Sequence, residues 1–127
     1  MKKSIFILEL IFIIFSLVGC SEQIEIESEK SLVVQKLINE NQGEYEPFKE
    51  IKDKAKVETV INILRKAKWK ESSDKSTYPD YKMNNNYSIW VLSPNNNIRV
   101  RAESINKDAL LSDKDSKTFY EIMINEN

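Results

Sequence analysis

Apolar and polar residues alternate most regularly in the last third of the chain. In residues 98–103 the apolar side chains Ile98, Val100 and Ala102 alternate with the charged side chains Arg99, Arg101 and Glu103. This period of two is typical of a strand with one buried face. Residues 87–92 are rich in β-branched and aromatic side chains, and residues 93–97 supply turn-forming Ser, Pro and Asn. The pattern therefore predicts a hairpin of two strands, 87–92 and 98–102.

Two other segments show the period of a helix. Residues 54–68 repeat apolar side chains at helical spacing (Val57, Val60, Ile61, Leu64 and Ala67), and Asp53 precedes them as a candidate cap. Residues 113–124 carry Phe119, Ile122 and Met123 at helical spacing, after a capping box from Ser112 to Asp115. Both segments are predicted as amphipathic helices, with Trp69 closing the first and residues 71–77 forming a loop.

The first part of the chain is less regular. Residues 32–38 and 45–51 are predicted as strands joined by the turn-forming residues 39–43, although 29–41 also fits a helix through i,i+4 apolar pairs. Residues 78–83 are predicted to be extended. Ile24 and Ile26 alternate with glutamates and fit either a first short strand or a tether. The predicted order is β-β-α-β-β-β-α: an α+β domain with a small, mostly antiparallel sheet and two helices on one face.

The N-terminus has the pattern of a secretory signal. Lys2 and Lys3 precede the apolar residues 5–18, which are interrupted by Glu9 and Ser16. The run is shorter than the roughly 20 apolar residues that cross a bilayer. It ends at Cys20, the single cysteine of the chain.

The residues Leu17-Val18-Gly19-Cys20 resemble the lipobox of bacterial lipoproteins. The resemblance implies that a diacylglycerol is added to the thiol of Cys20 and that the chain is cut before it. Two acyl chains anchor a protein stably where one does not. We therefore expect a signal peptide at 1–19, an anchor and tether at 20–30, a domain at 31–127, and a location on the extracytoplasmic face of the cell membrane.

Composition excludes several functions. The 127 residues contain 19 basic and 20 acidic residues, interspersed along the chain, so nucleic acid is not an expected partner. The absence of histidine removes the commonest general base and transition-metal ligand. One cysteine cannot form an internal disulfide. We expect no cofactor, no metal site and no catalytic residues.

Clustered carboxylates offer two weak candidate sites. Asp113 and Asp115 have the spacing of calcium ligands but lack the glycine and the glutamate of a calcium loop, which favours helix capping. Glu71, Asp74 and Asp80 could supply paired carboxylates for acid–base chemistry, but the sequence does not fix their separation, and a solvated loop is favoured.

The strand 87–92 carries bulky side chains on both faces. Either the strand is covered on both sides, which is favoured, or one face is exposed. In the exposed alternative, Trp90 with Arg99 and Arg101 from the paired strand would bind a protein or stack on a glycan.

Three short segments, Asp80-Tyr-Lys-Met83, Tyr87-Ser-Ile-Trp90 and Leu111-Ser-Asp-Lys-Asp115, resemble the YhfM-like small lipoproteins of bacilli. That resemblance implies an envelope location and a domain type, without a reaction. We expect a membrane-anchored lipoprotein whose domain is a non-catalytic protein-binding module with an envelope protein partner. The alternatives are a glycan- or small-ligand-binding domain and a carboxylate-dependent, wall-active enzyme.

Overall fold

The computed structural model describes residues 24–72 and 77–125, which form a seven-stranded sheet and two helices. In chain order the elements are β1 (Leu32–Asn39), β2 (Glu44–Ile51), α1 (Lys54–Lys66), β3 (Trp69–Glu71), β4 (Tyr81–Met83), β5 (Tyr87–Leu92), β6 (Asn97–Ala102), β7 (Lys107–Leu110) and α2 (Asp113–Met123). The predicted α+β class is confirmed. The sheet has two strands more than the five that the sequence predicts.

The strand order is β2-β1-β4-β5-β6-β7-β3, and every neighbouring pair is antiparallel. Strands β4 to β7 form a meander. Strand β3 lies at one edge beyond β7, whereas β4, the next strand in sequence, pairs with β1 and β5. The connection between β3 and β4 therefore joins two strands that β7, β6 and β5 separate in the sheet.

The register divides the sheet into two faces. On the inner face Val34 pairs with Met83 and Ile89 pairs with Val100, and all four are fully buried. They belong to one apolar core with the buried side chains of both helices. On the outer face Trp90 pairs with Arg99. The helices thus cover the inner face, as predicted, and the outer face carries polar groups.

Both helices begin at the predicted caps. The Asp53 carboxylate accepts hydrogen bonds from the backbone N–H groups of Ala55 (2.9 Å) and Lys56 (3.2 Å), and the Ser112 hydroxyl accepts one from Asp115 (3.1 Å). These bonds satisfy N–H groups that the first helical turn leaves without partners. The buried Ser116 hydroxyl accepts from the backbone N–H of Ile98 at 3.0 Å, which fixes α2 on β6.

Three sequence predictions need correction. The helical alternative for 29–41 is wrong, because residues 32–39 pair with both β2 and β4. Trp69 begins strand β3 instead of only closing a helix, and Lys107–Leu110 forms a strand that the sequence did not predict. Residues 24–30 form no strand, yet Ile26 is buried in the core. No helix in the described part of the chain is long and apolar enough to cross a membrane.

Candidate functional site

The structure brings together the three residues predicted as a binding face. Trp90 lies beside Arg99 on the outer face, and the Arg101 guanidinium lies 5.3 Å from the centre of the indole ring. Arg101 Nε donates to Asp108 Oδ1 at 2.8 Å, in an ion pair whose side chains are 17% and 8% exposed. This is a cation–π contact backed by a largely buried ion pair.

The segment 77–80 covers this cluster. The indole N–H of Trp90 donates to the carbonyl oxygen of Thr77 (3.3 Å), and Asp80 accepts from the backbone N–H of Val91 (2.8 Å). Trp90 is only 5% exposed. The structure thus agrees with the favoured alternative, in which β5 is covered on both sides. Trp90 does not form an exposed aromatic patch. The geometry offers no support for ligand stacking on this indole.

Tyr45 and Tyr78 hold the same segment at its other end. The Tyr45 hydroxyl donates to the carbonyl oxygen of Pro79 at 2.6 Å. The Tyr78 ring packs on Gly43, where a Cβ atom would lie 2.6 Å from the ring and where φ is +64°. Burial, reinforced by the Asp80 carboxylate and by Tyr78, raises the pKa of Tyr45 to about 12. The Tyr45 side chain is therefore a neutral phenol, and it helps to hold residues 77–80 in place.

The sheet has two distinct ends. We call the end formed by turns 84–86 and 103–106, together with the segment 24–30, the proximal end. Its two turns are joined, because the backbone N–H of Glu103 donates to the carbonyl of Asn86 at 2.8 Å. Ile24, Tyr87 and Ile105 line an open depression of about 760 Å³ at this end. Because antiparallel strands alternate in direction, turns 40–43 and 93–96 lie at the opposite end, the distal end.

Arg65 fixes the N-terminal segment at the proximal end. Its Nε donates to the carbonyl oxygen of Ile26 (3.1 Å), and its Nη2 donates to the hydroxyl of Ser28 (3.0 Å). Burial, followed by the charge of Glu29, raises the pKa of the neighbouring Tyr87. The predicted tether 20–30 is thus packed on the domain from Ile26 onward.

Exposed apolar side chains are unevenly distributed over the ends. Among residues 24–72 and 77–125, five large apolar side chains are between 43% and 55% exposed: Val33, Ile38, Tyr78, Ile105 and Leu110. Ile38, Tyr78 and Leu110 lie at the distal end of their strands or beside the 40–43 turn. Ile105 is at the tip of the proximal 103–106 turn. Val33, whose backbone N–H donates to Asn84, also lies at the proximal end, so three of the five are distal and two are proximal.

The candidate carboxylates serve structural contacts. Glu71 pairs with Lys107 at 3.0 Å, Asp80 accepts from Val91, and Asp113 accepts from the Asn97 amide at 2.8 Å. Glu71 and Asp80 lie at the two ends of the β3–β4 connection. Among the described residues, no three Asp or Glu side chains are grouped so that they could hold a metal ion. Asp74 and Cys20 lie outside the described residues.

Sequence reasoning missed the parts of these sites that depend on long-range contacts. Asp108 completes the outer-face cluster but lies in a strand too short to show a period. Arg65 is one of several charged residues on α1, and nothing in its surroundings signals a bond to a segment 39 positions away. The alternation of Ile24 and Ile26 with glutamates was the one available signal for the packed N-terminal segment.

Comparisons with known proteins add no identification. No family model, no curated protein and no solved structure matches the chain. The resemblances to the bacterial lipobox and to the YhfM-like lipoproteins therefore remain predictions from the sequence.

Proposed function

We propose that this protein is a bacterial envelope lipoprotein, held on the extracytoplasmic face of the cell membrane by a diacylglycerol on Cys20. The single observation that carries the proposal is the position of the lone cysteine after Leu17-Val18-Gly19, at the end of an apolar run that follows two lysines. The packing of Ile26 in the core is consistent with this boundary, because it leaves a short segment between the lipid and the domain.

We further propose that the domain is a non-catalytic module that binds an envelope protein. Two of the three carboxylates considered for acid–base chemistry, Glu71 and Asp80, are engaged in structural contacts, and the chain has no histidine. We assign the partner surface to the distal end, which carries three of the five exposed large apolar side chains in the described part of the chain, Tyr78 among them. Tyrosine is one of the residue types that carry most of the binding energy at protein interfaces, which makes Tyr78 the candidate anchor.

The lipid anchor is tested on the protein itself. Mass spectrometry of the wild-type N-terminus is expected to show a chain beginning at a diacylglyceryl-modified Cys20. The Cys20→Ala variant is expected to remain as an uncut precursor without lipid. A wild-type chain that is processed normally but carries no lipid would refute the lipobox interpretation.

Partner binding is tested by site-specific cross-linking in the protein's own cells. A photoreactive phenylalanine analogue is placed at position 38 or 110 at the distal end, and at the exposed position 58 of α1 as the control. The same recurrent protein is expected from 38 and 110 but not from 58. Identical products from all three positions, or none, would argue against a distal binding surface.

Small-ligand binding is the second candidate, and one observation favours it. Residues 28–30 and α1 enclose an open depression of about 590 Å³, lined by Lys30, Lys54, Glu58 and Arg65 among others. This volume is within the range of ligand sites, although such sites are mostly apolar. A ligand there should perturb the contacts of Arg65 with Ser28, so chemical shifts of residues 26–30 would report binding.

A further inference from the structure

We infer that the proximal end faces the headgroup layer of the bilayer and that the distal end points away from it. The inference rests on the proposed anchoring at Cys20 and adds the orientation of the domain, which the anchor by itself does not specify. It identifies turn 103–106, with Ile105 at its tip, as the part of the domain that approaches the lipid surface.

The length of chain between the anchor and the domain carries the argument. Four peptide units separate Cys20 from Ile24, and a fully extended chain spans at most about 3.3–3.6 Å per residue, so the Ile24 Cα lies within about 14 Å of the lipid-bearing residue. Ile24 lines the same depression as Asn86, Ser104 and Ile105. The proximal end is therefore held near the headgroups.

The distal end cannot take this place without losing the packing of the N-terminal segment. Strand β5 alone has six residues, and at about 3.4 Å per residue it separates the two ends by about 20 Å. A tether of about 14 Å is shorter than this separation. Turning the domain over would require the release of Ile26 from the core and of the two bonds from Arg65.

The surface chemistry of the proximal end limits how deeply it can contact lipid. Ile105 is 43% exposed and is the side chain suited to the apolar boundary, but Glu25, Glu27 and Glu103 are exposed around it. Carboxylates are attracted neither to hydrocarbon nor to anionic headgroups. The end therefore fits shallow contact with a zwitterionic headgroup layer.

The orientation is tested with the lipidated full chain in phosphatidylcholine vesicles that contain a headgroup spin-labelled lipid. A thiol-reactive fluorophore is attached through Ile105→Cys at the proximal end, or through Asn95→Cys at the distal end as the matched control. Lipidation occupies the Cys20 sulfur, so each variant takes one label. Ser104→Cys and Gln42→Cys repeat the comparison at second exposed positions, in case either first variant misfolds.

Quenching at 105 is expected to exceed quenching at 95 by about threefold or more, because the label at 95 is about 20 Å farther from the headgroups. Ten Gly/Ser residues inserted between Gln23 and Ile24 should bring the two values together, since a flexible linker of this length adds about 18 Å of reach. Phosphatidylglycerol in half of the lipid should reduce quenching at 105.

Three outcomes would each overturn a different part of the proposal. Equal quenching at 105 and 95, or stronger quenching at 95, in a chain shown by mass spectrometry to be lipidated overturns the orientation alone. A chain that takes a second label on a free Cys20 overturns the anchoring, and the orientation with it. Quenching that anionic lipid leaves unchanged overturns the position of the three carboxylates at the lipid surface.

Discussion

The two faces of the sheet differ in how their side chains are buried. The inner face is buried by two amphipathic helices and is apolar, with Val34, Ile89 and Val100 fully buried. The outer face is buried around Trp90 by the short segment 77–80, and its groups are polar: an indole N–H, a guanidinium and a carboxylate. Burial of apolar area stabilises the inner face, whereas the outer face depends on satisfied hydrogen bonds and an ion pair.

The largest effect is expected for the inner face. Phe119 on α2 is fully buried, so Phe119→Ala should lower the free energy of unfolding by about 4 kcal/mol through lost burial and a residual cavity. Urea denaturation measures this change. Lys117→Ala, at an exposed position of the same helix, is the control and should stay within about 0.5 kcal/mol. A loss below about 1 kcal/mol for Phe119→Ala would mean that the site collapses around the cavity.

An intermediate effect is expected for the outer face. Asp108→Ala should cost about 2–3 kcal/mol, because it leaves the Arg101 guanidinium, 17% exposed, without this carboxylate. The double variant Arg101→Leu/Asp108→Ala should recover part of the loss, because it also removes the largely buried Arg101 charge. A double-mutant cycle by urea denaturation measures the coupling. Changes that add to within about 0.5 kcal/mol would show that the pair does not act as a unit.

The smallest loss of stability is expected where residues 77–80 contact the 40–43 turn. Tyr45→Phe removes one hydrogen bond to the carbonyl of Pro79 and should cost about 1 kcal/mol at neutral pH.

The pH dependence of stability shows whether the Tyr45 phenol makes this contribution. The pKa of Tyr45 is raised to about 12 in the folded protein, against about 10 unfolded, so the folded state holds this proton more tightly. Its stabilising contribution is present below pH 10 and is lost as the pH rises from 10 to 12. Thermal unfolding across this window should show a shallower decline for Tyr45→Phe than for the wild type. If the stabilities of the two proteins declined in parallel, the sensitivity to alkaline pH would arise from groups other than Tyr45.

The inner face could be predicted from sequence because its information is local. The helical period of Val57, Val60 and Ile61 and the strand period of Ile98 and Val100 each specify a buried side without reference to distant residues. Caps at Asp53 and Ser112 marked the helix starts for the same reason.

The outer face could not be predicted in this way. Strand β3 has three residues and follows α1 almost directly, and β7 places Lys107, which pairs with Ala102, on the inner face where a period of two would need an apolar residue. Strand β3 exists because it pairs with β7, and β7 exists because it pairs with both β3 and β6. Whether Trp90 is exposed depends on the position of residues 77–80, and that position follows from the pairing of β4 with β1 and β5.

The separation of β3 from β4 in the sheet has a consequence for how the chain folds. Strands β4 to β7 are contiguous in sequence and can form from local contacts, but β3 gains its partner only after β7 exists, more than thirty residues later. Non-local pairings of this kind pay the entropy of loop closure before they gain contacts. We expect the segment 77–80 to close over Trp90 late in folding. The burial of that single indole would therefore report when the last part of the sheet is complete.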